Sequence, residues 1–350
     1  MTAATISSTP RQRWTALIAL LLIAAMWGST FFLVKDATAN YSLLTFLVLR
    51  WSIAALALLP FCLMLRRYPT RLEWRWGLGA GVLFALGYVL QVAALRVSDS
   101  GRVGFVTGLY VVLVPVLALI TLRYPIKRRI WISGALAVAG MVLLANAPGG
   151  SVFGDVIALL SAVSFAAQIL VIEKFPKGMD WRFVSLLQAA VVAAAGVVLL
   201  PIFAAFSGCS GALCALIAPF ADPLPTSLPL NVVLVAVFTG VVASGLGLVI
   251  QVWAQRLLPP SEAALMYSAE SPFAAVYGVM FRGEVLTVNA VIGCGLLFAG
   301  MVVVSLGGAF DASAANRRPH PMRPRTSARL TIQRGRPSEP SMVERLDELE

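Results

Sequence analysis

The chain has 350 residues, of which 59% are hydrophobic and 12% charged, with a mean hydropathy of +0.87 and a formal charge of +11. Soluble domains carry roughly 25% charged residues, so this composition excludes a globular protein with a polar surface. A nucleic-acid footprint is excluded too, because the basic residues sit between apolar runs and in a terminal tail rather than along one face.

After a polar segment 1–13, apolar runs of about 20 residues recur, the length at which a helix crosses a bilayer core. They cover 14–34, 43–65, 76–95, 103–122, 130–146, 152–172, 182–206, 231–254, 261–281 and 288–308. Open strands leave backbone groups unpaired in lipid, and a barrel shows short alternating segments, so the prediction is an all-α integral membrane protein with ten transmembrane helices. The first run follows Arg11 and Arg13 but is long for a signal peptide and lacks a small-x-small cleavage site, so it is read as a retained span.

In chain order, the first span holds Trp27. Arg50 lies about seven residues into the second, too deep to snorkel easily, and needs a partner: Glu270, an anionic group of a ligand, or helix carbonyls. The third span carries Gln91 and the Gly77/Gly81 spacing that permits close helix contact; the fourth carries Gly104/Gly108, Tyr110 and Pro115. Gln188, in the seventh, is the approximate counterpart of Arg50. The connection 207–230 contains Cys209 and Cys214, either a disulfide of an oxidising compartment or two unpaired residues. No metal or other cofactor is called, because no ligand cluster or nucleotide loop is present. Gln251 lies in the eighth span. The ninth contains Glu270-Ser271-Pro272, with Glu270 roughly 13 Å from the helix start and near the bilayer midplane. Arg282 and Glu284 read as a local pair at its end. Residues 309–350, rich in Arg, Pro and Ser and then acidic, read as a disordered tail, and its His320 as inert.

Lys and Arg mark the cytoplasmic side of a membrane protein, and about 22 fall on one side of these spans against about 4 on the other. Both termini are therefore expected in the cytoplasm. The sequence also repeats itself at an offset of 160. YVLQVAALR (88–96) lies over LVIQVWAQR (248–256), and LAVAGMVLL (136–144) over LLFAGMVVV (296–304). The repeating unit holds five spans, an odd number, so its two copies have inverted topology. The units are 14–146 and 147–308, the second carrying 207–230 as an extracytoplasmic insertion. Inverted repeats are a construction of membrane carriers, with the substrate path near the midplane between the repeats.

AAMWGSTFFLVK (24–35), the Arg50 of LLTFLVLRW (43–51), and AESPFAAVYGVMFRGEVLT followed by IGCGLLFAGMVVV (269–304) resemble the EamA-type permeases of the drug/metabolite transporter superfamily. The resemblance covers roughly 14–308 and implies ten helices in two inverted repeats and export of amino acids or other small metabolites. Two departures stand out. Ser271 separates Glu270 from Pro272, and Tyr124-Pro125 replaces the Gly283-Glu284 of the second half.

From the residues, Glu270 is either a cavity carboxylate that binds a substrate amine or exchanges protons, or a structural group hydrogen-bonded to a neighbouring helix. Pro115 and Pro272 interrupt helices at nearly corresponding positions and read as hinges beside the transport path, ordinary curvature being the plainer reading. Trp27, Tyr110, Gln91 and Gln251 are candidates to line that path, with packing or interhelical hydrogen bonding as the alternative. The expectation is a permease of the inner membrane that moves a small-molecule substrate outward by alternating access, an amino acid or related compound or a drug-like molecule, with protons as a candidate coupling ion and the oligomeric state open. The alternative is an intramembrane enzyme or a non-transporting sensor.

Overall fold

A computed structural model describes residues 9–38, 41–98, 100–122, 126–144, 152–176, 178–207, 209, 214, 217, 224–283 and 287–317. By internal contacts the chain divides into Met1–Ser313 and Ala314–Glu350. Residues 309–317, expected to belong to a disordered tail, are instead part of the helix Val288–Arg317, while 318–350, with His320, lie outside the described residues, as does Glu284.

The described chain is helical. In order it forms α1 (Pro10–Thr38), α2 (Leu43–Leu63), α3 (Arg71–Val97), α4 (Ser100–Gly108), α5 (Tyr110–Leu122), α6 (Arg128–Leu144), α7 (Val152–Glu173) and α8 (Trp181–Ala204). It continues with α9 (Leu230–Gln255), α10 (Pro260–Tyr267), α11 (Glu270–Arg282) and α12 (Val288–Arg317). Six of these (α1, α2, α3, α7, α8 and α9) are long and apolar enough to cross a bilayer. Across the described helices Leu22, Leu56, Leu119, Val197, Leu234 and Val302 are exposed, while Arg50, Gln168, Gln188 and Glu270 are buried. Apolar outside and polar inside suits a lipid solvent, which has no attraction for polar side chains.

Helices α3, α7 and α8 form one packed group, and α2 joins it through α8. Small residues let these helices close. A methyl group on Gly77 would sit 2.6 Å from Leu187, and one on Gly81 would sit 3.0 Å from Val191, so the first glycine pair serves the α3–α8 contact. Gly108 faces Met141 of α6. On the other side α1 packs on α11, α9 and α10. There a methyl group on Gly28 would lie 2.7 Å from the backbone oxygen of Glu270.

Three irregularities shape the interior. The fourth predicted span is broken at Leu109, between α4 and α5, and the ninth at Ser268 and Ala269, between α10 and α11. Within α9, residues Thr239–Leu246 form a π-helical turn. The breaks do not fall at the prolines. Pro115 is inside α5, past the break at Leu109, and Pro272 is in the first turn of α11, where a missing N–H is tolerated. The interruptions therefore lie N-terminal to both expected hinge residues. Pro272 contributes by having no N–H for the Ser268 carbonyl, which takes the N–H of Ser271 at 3.3 Å instead. Cys209 and Cys214 are joined by a disulfide.

Candidate functional site

A cavity of about 410 Å³ is lined by residues of α1, α2, α3, α4, α5, α7, α9, α10 and α11. Its lining includes Trp27, Arg50, Gln91, Tyr110, Gln251 and Glu270, so the structure brings all six sequence-chosen residues together around one space. Pro115 and Pro272 are buried outside it.

The break before α11 makes Glu270 the first residue of a helix rather than the middle of one. The positive dipole end of α11 lies at this residue and favours negative charge there. The Tyr110 hydroxyl donates to Glu270 Oε1 at 3.3 Å, across a separation of 160 residues. Positions that match in the sequence repeat thus meet in space.

Arg50 does not take Glu270 as its hydrogen-bond partner. Its Nε donates to Ser244 Oγ at 2.7 Å, and its guanidinium carbon sits 5.7 Å from the Trp51 ring centroid and 5.9 Å from that of Tyr88. Arg50 is 7% exposed and lines the cavity. Cation–π contact with two rings replaces part of the lost hydration of a buried guanidinium. Tyr88 packs edge-on against Phe84 and Phe165, giving the cavity an aromatic wall. Trp27 forms a second wall, with its ring 5.4 Å from Tyr267 and its indole N–H donating to the Ala243 carbonyl at 2.8 Å.

The floor carries amides. Gln251 Nε2 donates to Gln168 Oε1 at 3.4 Å, and Gln168 Nε2 donates to Gln188 Oε1 at 2.7 Å. Gln188, the counterpart of Arg50, lies outside the lining and is tied to it through Gln168. Sequence reasoning missed Gln168, Tyr88 and Ser244. Gln168 had a signal, as a lone amide in the apolar stretch FAAQILVI; Tyr88 had one too, three residues before Gln91 on the same helix face.

The cavity has an open end and a closed end. Its lining reaches Val34 and Thr38 at the end of α1, Leu43 at the start of α2, and exposed Arg96 and half-buried Ser98 at the end of α3. Toward the start of α1 the interior fills with Ile23, Leu20 and Leu17, packed against Val114, Ala118, Leu258 and Ala264. Further along α1, Arg13 pairs with Glu262 at 2.6 Å, and Arg129 at the start of α6 approaches the other Glu262 oxygen at 3.4 Å. Glu262 is 1% exposed. On the same side, Arg67 grips Glu73 with two hydrogen bonds of 2.9 and 2.7 Å, and Glu73 also accepts the backbone N–H of Asp180 at 2.7 Å.

The EamA-like transporter family model matches residues 14–146 and again 152–306. A curated relative from Archaeoglobus fulgidus, described as an uncharacterized transporter, is 29% identical over 297 residues, covering 84% of this chain and 87% of its own. One solved crystal structure superposes with a TM-score of 0.66 at 18% identity, covering 83% of this chain and 96% of the other. That last likeness is one of fold.

Proposed function

Because the chain belongs to the EamA-like transporter family, and so is a multi-pass membrane transporter of a small molecule, we propose that it exports a zwitterionic metabolite, an amino acid or a close relative, by alternating access. The observation that carries this reading is the opposite charge of Arg50 and Glu270 on the wall of one cavity. A guanidinium fork matches a carboxylate, and a buried carboxylate matches an ammonium group. Phe84, Tyr88, Phe165 and Trp27 suit an apolar side chain, and a volume of about 410 Å³ falls in the range of small-molecule sites, roughly 300–1,000 Å³.

The topology we propose has ten spans in two inverted five-helix repeats, 14–146 and 147–308, with both termini cytoplasmic in the inner membrane. The two family matches support the repeat, and so does the Tyr110–Glu270 contact between equivalent positions. Breaks at Leu109 and at Ser268–Ala269 also match at the offset of 160. Exposed Trp14, Trp74 and Trp131 stand at the starts of α1, α3 and α6, beside the Arg-rich connections, where interfacial tryptophans collect. On this topology the cavity faces outward, and the Glu262 cluster is the closed cytoplasmic gate. The relative's name and the family favour transport over an intramembrane enzyme or a sensor.

The test is counterflow of radiolabelled amino acids into vesicles containing the purified protein. Wild type is expected to exchange at least one neutral amino acid with a pH-dependent rate. Glu270→Gln, which keeps shape but loses charge, is expected to cut exchange at least about tenfold, the order of one lost charged hydrogen bond, and to flatten the pH dependence. Unchanged exchange at every pH overturns the role of Glu270.

A further inference from the structure

The π turn Thr239–Leu246 holds two walls of the cavity at once. Ala243 supplies the carbonyl that accepts from the Trp27 indole at 2.8 Å, and the next residue, Ser244, supplies the hydroxyl oxygen that accepts from Arg50 Nε at 2.7 Å. The two anchored side chains come from different helices, α1 and α2. The turn is bare enough for both helices to reach it. A methyl group on Gly240 would sit 2.7 Å from the Arg50 backbone oxygen, and one on Gly247 would sit 3.0 Å from Trp27 Nε1.

Ser244 differs from Ser164 and Ser185 in what its oxygen does. Ser164 and Ser185 turn their hydroxyls back to carbonyls four residues earlier, the usual habit of a helical serine. Ser244, 2% exposed, instead presents its oxygen to a guanidinium. A guanidinium has five N–H groups in a rigid fork, and fixing Nε fixes the plane and direction of the two terminal nitrogens. Neither terminal nitrogen of Arg50 is buried without a partner, and among the described residues Nε carries its hydrogen bond. The terminal pair is therefore the part of Arg50 in touch with the cavity.

We propose that Ser244 is the positioning residue that aims Arg50 at a substrate carboxylate, and that this π turn sets the cavity's preference for carboxylates over neutral analogues. This rests on the amino-acid reading of the site. Ser244 touches no substrate and acts through Arg50.

The experiment measures binding of L-phenylalanine and of L-phenylalaninamide to the purified protein by calorimetry, for wild type, Ser244→Ala, Ser244→Thr and Arg50→Gln. Ser244→Ala is expected to weaken the amino acid about tenfold and the amide less than about twofold, the order of one charge-assisted hydrogen bond. Ser244→Thr, which keeps the hydroxyl, is expected to restore the preference. Amide binding at wild-type strength also reports that the variant is folded. Equal weakening of both ligands, no weakening at all, or failure of Ser244→Thr to restore the preference overturns the role of Ser244. A wild type that does not prefer the amino acid, or an Arg50→Gln variant that keeps the preference, overturns the carboxylate grip itself and this inference with it. Loss of the preference in Arg50→Gln alongside its retention in Ser244→Ala overturns Ser244 alone.

Discussion

Glu270 shows how one side chain is shaped by its surroundings. In sequence it is a carboxylate in an apolar run; in the structure it heads α11, accepts from Tyr110, and faces a cavity that also holds Arg50. Its position depends on its backbone neighbour in α1. A methyl group on Gly28 would meet the Glu270 carbonyl at 2.7 Å, the Phe273 Cβ at 2.8 Å and the Ala274 nitrogen at 2.9 Å. Two of these atoms are backbone and cannot rotate away. Gly28→Ala is therefore expected to push α11 from α1, lowering stability by about 1–3 kcal/mol, the usual cost of overpacking. It is also expected to depress transport by displacing Glu270. Thermal unfolding in detergent, together with vesicle exchange, measures both effects, and a wild-type melting temperature with full exchange contradicts this account of the α1–α11 contact.

At the scale of elements, the closed end of the cavity depends on a buried ion cluster joining three helices. Arg13 comes from α1, Arg129 from α6 and Glu262 from α10. Removing one member of a buried pair costs about 3–5 kcal/mol, because the remaining charges lose their compensation. Opening this end to the cytoplasm requires the same separation. Glu262→Ala is expected to destabilise the closed arrangement by that order and to shift the protein toward the opposite opening, seen as increased cytoplasmic-side labelling of a cysteine placed at Ala264. Glu262→Asp, which retains charge on a shorter stem, is expected to fall between the two. Labelling that stays at the wild-type level in a folded Glu262→Ala protein removes the cluster from the gate. The Glu73 cluster ties the connection before α3 to the one before α8 on the same side, through a capping box that TRLE (70–73) already spells.

At the scale of the whole molecule, the proposed topology puts Tyr68 and the 207–230 connection on opposite faces of the membrane. Tyr68 is 93% exposed and Leu224 is 57% exposed, so a cysteine at either place is reachable by solvent. With Cys62 and Cys294 replaced by serine, an impermeant maleimide added outside intact cells is expected to label Leu224→Cys and not Tyr68→Cys until the membrane is opened. The reverse pattern inverts the topology and, with it, the outward facing of the cavity.

The placement of the long helices was legible because lipid demands long apolar segments with internally satisfied backbones, and α7, α8 and α9 begin and end within two residues of the predicted runs. The offset of 160 paired Tyr110 with Glu270 before any coordinates, since a repeat is a property of the string. The positions of the helix breaks were not legible. Proline marks a missing donor, whereas the breaks lie N-terminal to each proline, at Leu109 and at Ser268–Ala269. Ser244 was hidden for a related reason. A π turn shifts the register that helical periodicity relies on, so a serine among small residues gave no sign that it faced Arg50 from 194 positions away. By itself the sequence determined the lipid solvent and the long apolar helices, which follow from local composition. The tertiary structure alone decided which polar groups meet, because burying a charge in lipid stabilises whatever long-range contact satisfies it.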